Sequence, residues 1–394
     1  MQHRGAGWRS PDHHHVERHH VDHRSGNRHA VKAVVLVGGE GTRLRPLTLT
    51  TPKPLLPVGG RPLIERQLAW LGAYGVDEVV LSLGYLPDAF VHHFPRDRFG
   101  AMRLVYAVEP EPLGTAGAIR FAVEQAGIDE RVVVCNGDVL TTLDLRAFVE
   151  FHVDRDAAAT IHLSHVEDPS ALGAVPTYPD GEVQAFVEKP KPGTSPSDWI
   201  NAGTYVLEPE VFARIPAGVA VSIERETFPG LLEERGKVYA LGTDDYWLDV
   251  GTPQTYLDAH ADVLAGRLGL PPVPDAQEAS PGVWVQGEID LTAATFEAPL
   301  LIGAGACFAR GARVSASTIG PGAQVGLDAV VDGSVLHARA LVADGAVART
   351  SIVGADACVD ARASVLDLSI VGAGARVSAG STLVGGRVPV ATAS

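Results

Sequence analysis

A glycine-rich turn, an arginine and a lysine near the start of the chain could together grip a polyphosphate. The stretch Leu36–Thr48 reads LVGGEGTRLRPLT. Gly38, Gly39 and Gly41 follow an apolar run, so the backbone can approach phosphate oxygens closely and aim N–H groups at them. Leu36 and Thr42 frame the turn, and Arg43 adds a planar fork of donors suited to phosphate. This is neither a P-loop, which ends in Gly-Lys-Ser/Thr, nor a full GxGxxG with an acid placed for a ribose. Taken alone, it could equally be a tight strand-to-helix connection. Lys53 lies in PKPL (52–55), between two prolines that lower the cost of fixing its ammonium beside a phosphate; a surface lysine is the alternative.

Two acids stand where a hard cation could be held. Asp138, in Asn136-Gly-Asp, follows the apolar strand 132–135, the end at which open α/β sheets bind ligands. Its carboxylate oxygen suits Mg²⁺, with phosphates completing the coordination; an N-cap or Asx turn is the other reading. Asp249 lies in YWLDVGT (246–252), flanked by apolar residues, and two carboxylates from different loops clamp a metal better than one. Thr252 before Pro253 fits a helix cap, which leaves Asp249 free for other work. Glu188-Lys189-Pro supplies an acceptor for sugar hydroxyls and a cation for a sugar phosphate, or else a surface ion pair. Asn201-Ala-Gly203 adds a bidentate amide beside a glycine that leaves room for a pyranose ring.

The elements that must position these residues are legible as well. Ala33–Val37, Glu78–Leu83, Arg103–Val108 and Arg131–Cys135 are apolar runs of the kind covered on both faces. Pro62–Tyr74 has Ile64, Leu68 and Leu71 at helical spacing and ends at Gly75. The pattern predicts an α/β, Rossmann-like, mostly parallel sheet over residues 31–266. Later strands near 158–165, 183–188, 205–207 and 237–241 are expected to extend it and wall one side of a cleft. Residues 267–281 carry four prolines and read as a linker.

Beyond the linker the apolar period becomes six. Val335, Leu341, Val347, Val353, Val359, Val365, Val371, Val377 and Leu383 are successive steps, and earlier positions continue the series with two phase slips. One aliphatic per hexapeptide predicts a left-handed parallel β-helix over 282–387. Stacked coils of this kind expose flat faces, and a homo-oligomer is expected. Acyl transfer by such a domain commonly needs a histidine base; His337 lies at a phase slip and reads as a turn residue.

Composition narrows the partners. The 394 residues carry a net charge of −15, which argues against broad binding to nucleic acid or acidic membranes. No apolar run approaches the ~20 residues of a membrane span, and no export signal is visible. Cys135, Cys307 and Cys358 lack metal or disulfide spacing, which fits a reducing cytoplasm. Residues 1–30 hold eight of the fifteen histidines and read as a disordered arm.

The motifs GGxGTRLRPLT, PKP, EPLGTAG, NGD, EKP, NAG, SIERETFP and WLDVGTP, in this order, resemble the sugar-1-phosphate nucleotidyltransferases. The likeness covers roughly residues 32–385. EPLGTAG (111–117) and SIERETFP (222–229) are most similar to the mannose-1-phosphate guanylyltransferase branch with a C-terminal β-helix. The resemblance implies transfer of a nucleoside monophosphate from an NTP to a sugar 1-phosphate, with Mg²⁺ on Asp138 and Asp249. Arg43 and Lys53 would then act on the transferring phosphate, and Glu188, Lys189 and Asn201 on the sugar phosphate. Gly39 and Gly114 would line the nucleotide pocket, with Leu36, Gly38, Gly41, Thr42 and Thr115 beside them.

Base choice has a physical reading. Guanine presents two adjacent donors that a carboxylate satisfies together, whereas uracil and thymine call for an amide. The segment before Gly114 is EPEPL (109–113), with carboxylates and no glutamine, which favours GTP. Glu109 is the first candidate and Glu111 the second. Transfer from UTP or dTTP to glucose 1-phosphate, and a non-catalytic regulatory subunit, are the competing expectations. Mannose, glucose and cyclitol phosphates are not separated by any single side chain.

Overall fold

The computed structural model describes residues 31–389 apart from Lys189, Pro192, Leu270 and Pro271. The histidine-rich arm 1–30 and Lys189 therefore lie outside the described residues. Val31–Leu36 runs through the centre of the main sheet, parallel to Val76–Leu83 on one side and Val132–Asn136 on the other. Met102–Val108 continues the parallel part. Val34, Val35, Val80 and Val134 are fully buried because helices cover both faces of these strands. Past Val132–Asn136 the direction changes. Trp199–Leu207 pairs antiparallel with it and with Ala159–His165, which pairs in parallel with Val238–Thr243. All four parallel strands end on one side, and the loops after Leu36, Leu83, Val108 and Asn136 open into the same crevice.

A small two-stranded sheet closes that crevice. Val139–Thr141 pairs antiparallel with Trp247–Asp249, so that Asp249 faces Val139 in the ladder. The Val250 N–H donates to the Asp138 carbonyl at 2.9 Å. Two aspartates over a hundred residues apart in sequence are thereby made neighbours.

The C-terminal region is a left-handed β-helix of three parallel sheets. Part of the proline-rich segment joins it, since Ala276–Ser280 pairs antiparallel with Val283–Gln286. The coil departs from a strict six-residue frame. Thr318 pairs with Val335 and Val335 with Ile352, a repeat of 17 residues, whereas Ile352 pairs with Ile370, a repeat of 18. Leu336, Val342 and Ala348, not Val335, Leu341 and Val347, fill the interior of their coil. The six-residue reading slips there because each inward residue is preceded by another apolar one.

Val335 and its counterparts in the later coils serve a second purpose. Val335, Ile352 and Ile370 form one apolar cluster with Leu44, Leu47, Leu56, Val58, Val250 and Tyr256 of the α/β domain. One β-helix face is thus consumed by docking. Elsewhere the coils expose ion pairs such as Arg339–Asp356 and Arg349–Asp332. His337 does follow a strand directly, but it is buried in this interface, where its Nε2 lies 3.0 Å from the Tyr256 hydroxyl. His260 is buried beside it, its Nδ1 2.9 Å from Thr318 Oγ1.

Burial pushes the His260 imidazolium down to about 3, helped by the nearby His337 ring, and burial alone lowers His337 to about 4. Both folded values lie below the ordinary 6.5, so the unfolded chain takes up protons first. Stability is complete above that value and is lost as pH falls through it toward 4. The loss is on the order of 3 kcal/mol per ring at the acid end. Denaturant midpoints should therefore fall between neutrality and about pH 5, before most carboxylates titrate. The fall should be smaller in His337→Gln; equal slopes in both proteins would contradict this origin.

Candidate active site

Four charged side chains meet at the mouth of the crevice. Lys53 Nζ lies 2.5 Å from Asp138 Oδ2 and 4.0 Å from Asp249 Oδ1, and Arg43 Nη2 lies 4.0 Å from Asp249 Oδ2. Each comes from a different local structure. Arg43 sits in a short 3-10 turn after Gly41, which adopts φ 60°. Lys53 begins a second such turn, fixed by Pro52 and Pro54, and its side chain is only 9% exposed. Asp138 follows the central strand, and Asp249 ends the small sheet that returns beside it.

The electrostatics of this cluster are unbalanced. Asp249 Oδ1 is buried and has no hydrogen-bond partner. Burial raises the Asp249 carboxyl above the ordinary range, and the Asp138 charge raises it further, against the opposing pull of Lys53 and Arg43. A bare, buried carboxylate oxygen beside a second carboxylate is the donor set a hard divalent cation prefers. No group of three or more metal-ligating side chains occurs among the described residues. A cation held here by Asp138 and Asp249 would draw its remaining ligands from phosphate and water.

Three adjoining cavities form the crevice, two of them lined by residues of the cluster. The middle one, about 240 Å³, is lined by Leu36, Gly39, Gly41, Thr42, Arg43, Lys53 and Asp138. It shares Leu36 and Gly39 with a cavity of about 420 Å³ that also contains Gly38, Ser82, Tyr85, Glu109, Glu111, Gly114 and Thr115. It shares Asp138 with a cavity of about 590 Å³ that contains Asn201, Gly203, Glu224, Trp247 and Asp249. The whole is one cleft with charges at its centre and a separate chamber on either side.

In the smaller chamber, Glu109 is held on both oxygens. Oε1 accepts from Ser82 Oγ at 3.1 Å and Oε2 from the Leu113 N–H at 3.0 Å. Each oxygen keeps a second lone pair for a ligand, whereas Glu111 is exposed. Gly114 has φ 67°, and a Cβ there would lie 2.7 Å from the Val221 carbonyl. Its smallness admits the neighbouring chain as well as a ligand. The Thr115 hydroxyl is engaged inside the protein, accepting from the Ile223 N–H at 2.7 Å and lying 3.3 Å from Glu224 Oε2.

The larger chamber differs from the expectation in two respects. Asn201 is not a free bidentate amide. Its Nδ2 donates to the Tyr205 hydroxyl at 2.8 Å and its Oδ1 accepts from the Gly203 N–H at 2.9 Å, leaving one N–H and one lone pair. Gly203, with φ 73°, lines the chamber, yet the space beside its α-carbon is taken by Asn136, whose Nδ2 would lie 2.4 Å from an added Cβ. The strand pairing is irregular between Asn201 and Tyr205, and such bulges re-aim side chains. The Glu188 backbone pairs with Gly173 at the sheet edge.

Glu224 is the side chain that sequence reasoning missed. It lies on a single turn of π-helix, Ile223–Thr227, capped by Ser222. Its carboxylate accepts from Ser222 Oγ at 3.1 Å and from Thr115 Oγ1 and the Tyr205 hydroxyl, both at 3.3 Å. It therefore ties the smaller chamber to the larger one. The motif SIERETFP was visible, but nothing in its spacing announces a π-turn, although such turns favour functional sites. Trp247 lines the same chamber, anchored by its indole N–H on the Ala202 carbonyl at 2.8 Å.

A crevice at the carboxyl ends of parallel strands, with paired acids and cations between two chambers, defines a nucleotidyltransferase. Residues 32–266 match the nucleotidyl transferase family, and the chain belongs to it. The mannose-1-phosphate guanylyltransferase of Mycobacterium tuberculosis is 38% identical over 314 residues, covering 77% of this chain and 84% of that one. Mannose-1-phosphate guanylyltransferase 1 of Arabidopsis thaliana is 34% identical over 340 residues, 83% of this chain and 91% of that protein, so the likeness runs into the β-helix. Among solved structures, HddC from Yersinia pseudotuberculosis complexed with GMP-PN superposes with a TM-score of 0.51 at 31% identity. That match covers 58% of this chain and 98% of HddC. A putative glucose-1-phosphate thymidylyltransferase from Bacillus anthracis gives 0.52 at 26% identity, over 59% and 94% respectively.

Proposed function

We propose that the chain joins the GMP moiety of GTP to mannose 1-phosphate, forming GDP-mannose and releasing pyrophosphate. The observation that carries this reading is the meeting of Arg43, Lys53, Asp138 and Asp249 between two chambers of different chemistry. The guanylyltransferase names of the two long-matching relatives support the choice of base and sugar. The same residues argue against a non-catalytic subunit, which has no need of four charged groups around a bare carboxylate oxygen.

In the reaction, an oxygen of the sugar phosphate attacks the α-phosphorus and the bond to the bridging β-phosphate oxygen breaks in line. The nucleophile is already an anion, so no general base is required. Lys53 and Arg43 neutralise charge on the transferring phosphate, and the N–H groups around Gly39 and Gly41 hold the polyphosphate. Mg²⁺ bound by Asp138 and Asp249 would supply further neutralisation of the phosphates. On the far side, Glu224 accepts from sugar hydroxyls and Asn201 takes a ring or phosphate oxygen; the EKP motif assigns Glu188 to a sugar hydroxyl and Lys189 to the phosphate.

Glu109, aimed by Ser82 and the Leu113 N–H, reads N1–H and N2–H₂ of guanine. Glu109→Gln turns one acceptor into a donor that meets guanine donors. Its kcat/KM for GTP should drop by ~5- to 150-fold, equivalent to ~1–3 kcal/mol, while UTP gains relative to GTP. An unchanged GTP:UTP ratio would remove Glu109 from base selection. The function itself is tested by pyrophosphate release from purified protein with Mg²⁺, four NTPs and several sugar 1-phosphates. GTP with mannose 1-phosphate should give the highest kcat/KM. A better pair would replace this assignment, and no release with any pair would end the transferase reading.

A further inference from the structure

We propose that the β-helix is a positioning element of the active site, acting through His337 and Thr318 on the segments that carry Lys53 and Asp249. The inference rests on the transfer reading above for its kinetic readout. The link is the Pro57 carbonyl, four residues beyond Lys53, which accepts two hydrogen bonds: from the Tyr256 hydroxyl at 2.5 Å and from His260 Nε2 at 3.0 Å. Both donors belong to the helix Pro253–Leu264, and each is backed by one β-helix side chain. His337 Nε2 donates to the Tyr256 oxygen at 3.0 Å, which directs the tyrosine proton to Pro57. The Thr318 hydroxyl donates to His260 Nδ1 at 2.9 Å, a nitrogen that also accepts from the Gly59 N–H at 3.2 Å. With Nδ1 accepting and Nε2 donating, the His260 ring is neutral and both of its nitrogens have a defined role.

Both catalytic segments hang on this clamp. On one side, the Leu56 N–H closes the turn onto the Lys53 carbonyl at 3.0 Å, and Leu56 and Val58 pack in the cluster containing Val335, Ile352 and Ile370. On the other, the helix start is tied to the residue two beyond Asp249, because the Gly251 N–H donates to Thr255 Oγ1 at 3.0 Å. Val250 joins the same apolar cluster. Lys53 and Asp249 lie only 4.0 Å apart, so a small shift of either segment changes the geometry at the transferring phosphate. Neither reactant chamber includes Tyr256, His260, Thr318 or His337. Loosening the clamp should therefore slow the chemical step without weakening either substrate.

The test uses full-length His337→Ala, His337→Gln and Thr318→Val. His337→Ala should lower kcat by ~10- to 100-fold, as loss of a supporting hydrogen bond or a sub-ångström misplacement does, with both KM values within about twofold of wild type. His337→Gln, whose amide can still donate to Tyr256, should recover most of the rate. Amide exchange followed by mass spectrometry should accelerate in residues 53–59 of His337→Ala and Thr318→Val below their unfolding temperature. If His337→Ala does not fold, the near-isosteric Thr318→Val decides by the same readouts. Unchanged kcat in the folded variants, or a fall that the glutamine does not reverse and KM follows, would overturn the inference. A wild-type protein without transfer activity would instead overturn the functional assignment, and exchange in 53–59 would still report on the clamp.

Discussion

Replacing Arg43 by alanine should lower kcat/KM by ~100- to 1,000-fold, the typical cost of losing one preorganised charge at a reacting centre, while the protein folds normally. The Arg43 side chain is 63% exposed and its carboxylate neighbour is Asp249 at 4.0 Å. A substitution there, away from the core, alters stability by no more than ~0.5 kcal/mol. The guanidinium packs against the Gly251 backbone, where a Cβ would lie 2.5 Å from its Nη2. Arg43→Lys should recover only part of the rate, because an ammonium cannot match two phosphate oxygens with a planar fork. Pyrophosphate release beside a thermal melt measures both halves of the prediction. A variant with near-normal turnover would remove Arg43 from the chemistry.

Asp249→Asn is expected to separate stability from activity in the opposite way. The rate should fall by at least ~100-fold, since the site loses an anionic metal ligand and a charge partner of both cations. The metal-free protein should be no less stable, and its melting temperature should rise. Burial, then Asp138, hold the Asp249 carboxyl above its ordinary value, so its ionised form opposes folding at neutral pH. A group with a raised folded value contributes stability that is present below the unfolded pKa and lost as pH rises through the folded one. Neutral asparagine removes that cost and offers an N–H₂ to Asp138. Adding GTP and Mg²⁺ should raise the wild-type melting temperature more than the variant's, because only the native carboxylate pair couples metal binding to the fold. A large destabilisation of metal-free Asp249→Asn would show that Asp249 is a structural partner rather than a strained functional one.

The prediction for Asp249 depends on a juxtaposition that no local pattern reveals. Both aspartates could be singled out, Asp138 because it follows an apolar strand and Asp249 because it is flanked by apolar residues while Thr252 fits the helix cap better. Their approach is produced by the short ladder between Val139–Thr141 and Trp247–Asp249, and strands of three residues leave almost no periodic signal. Glu224 escaped for a related reason. Its value lies in two contacts beyond its own turn, to Thr115 and Tyr205, beside a local one to Ser222, and sequence spacing carries information about neighbours on one element only. Asn201 and Gly203 were legible as polar and small, but which of their atoms the protein itself uses is a matter of packing. Val335 shows the same limit in the β-helix. Apolar character marks a residue for burial without saying which of two interiors receives it.

The two kinds of architecture, the glycine turn that can cradle phosphate, and the inventory of cations and acids are written in the amino-acid sequence. Those features are local: strand burial, helix spacing, turn chemistry and side-chain type act within a few residues. Packing brings Arg43, Lys53, Asp138 and Asp249 into one cleft, leaves Asp249 a bare buried oxygen, and lets the β-helix grip Pro57 through Tyr256 and His260. These are properties of contacts between segments far apart in the chain, and their energies exist only once the packed interior excludes water.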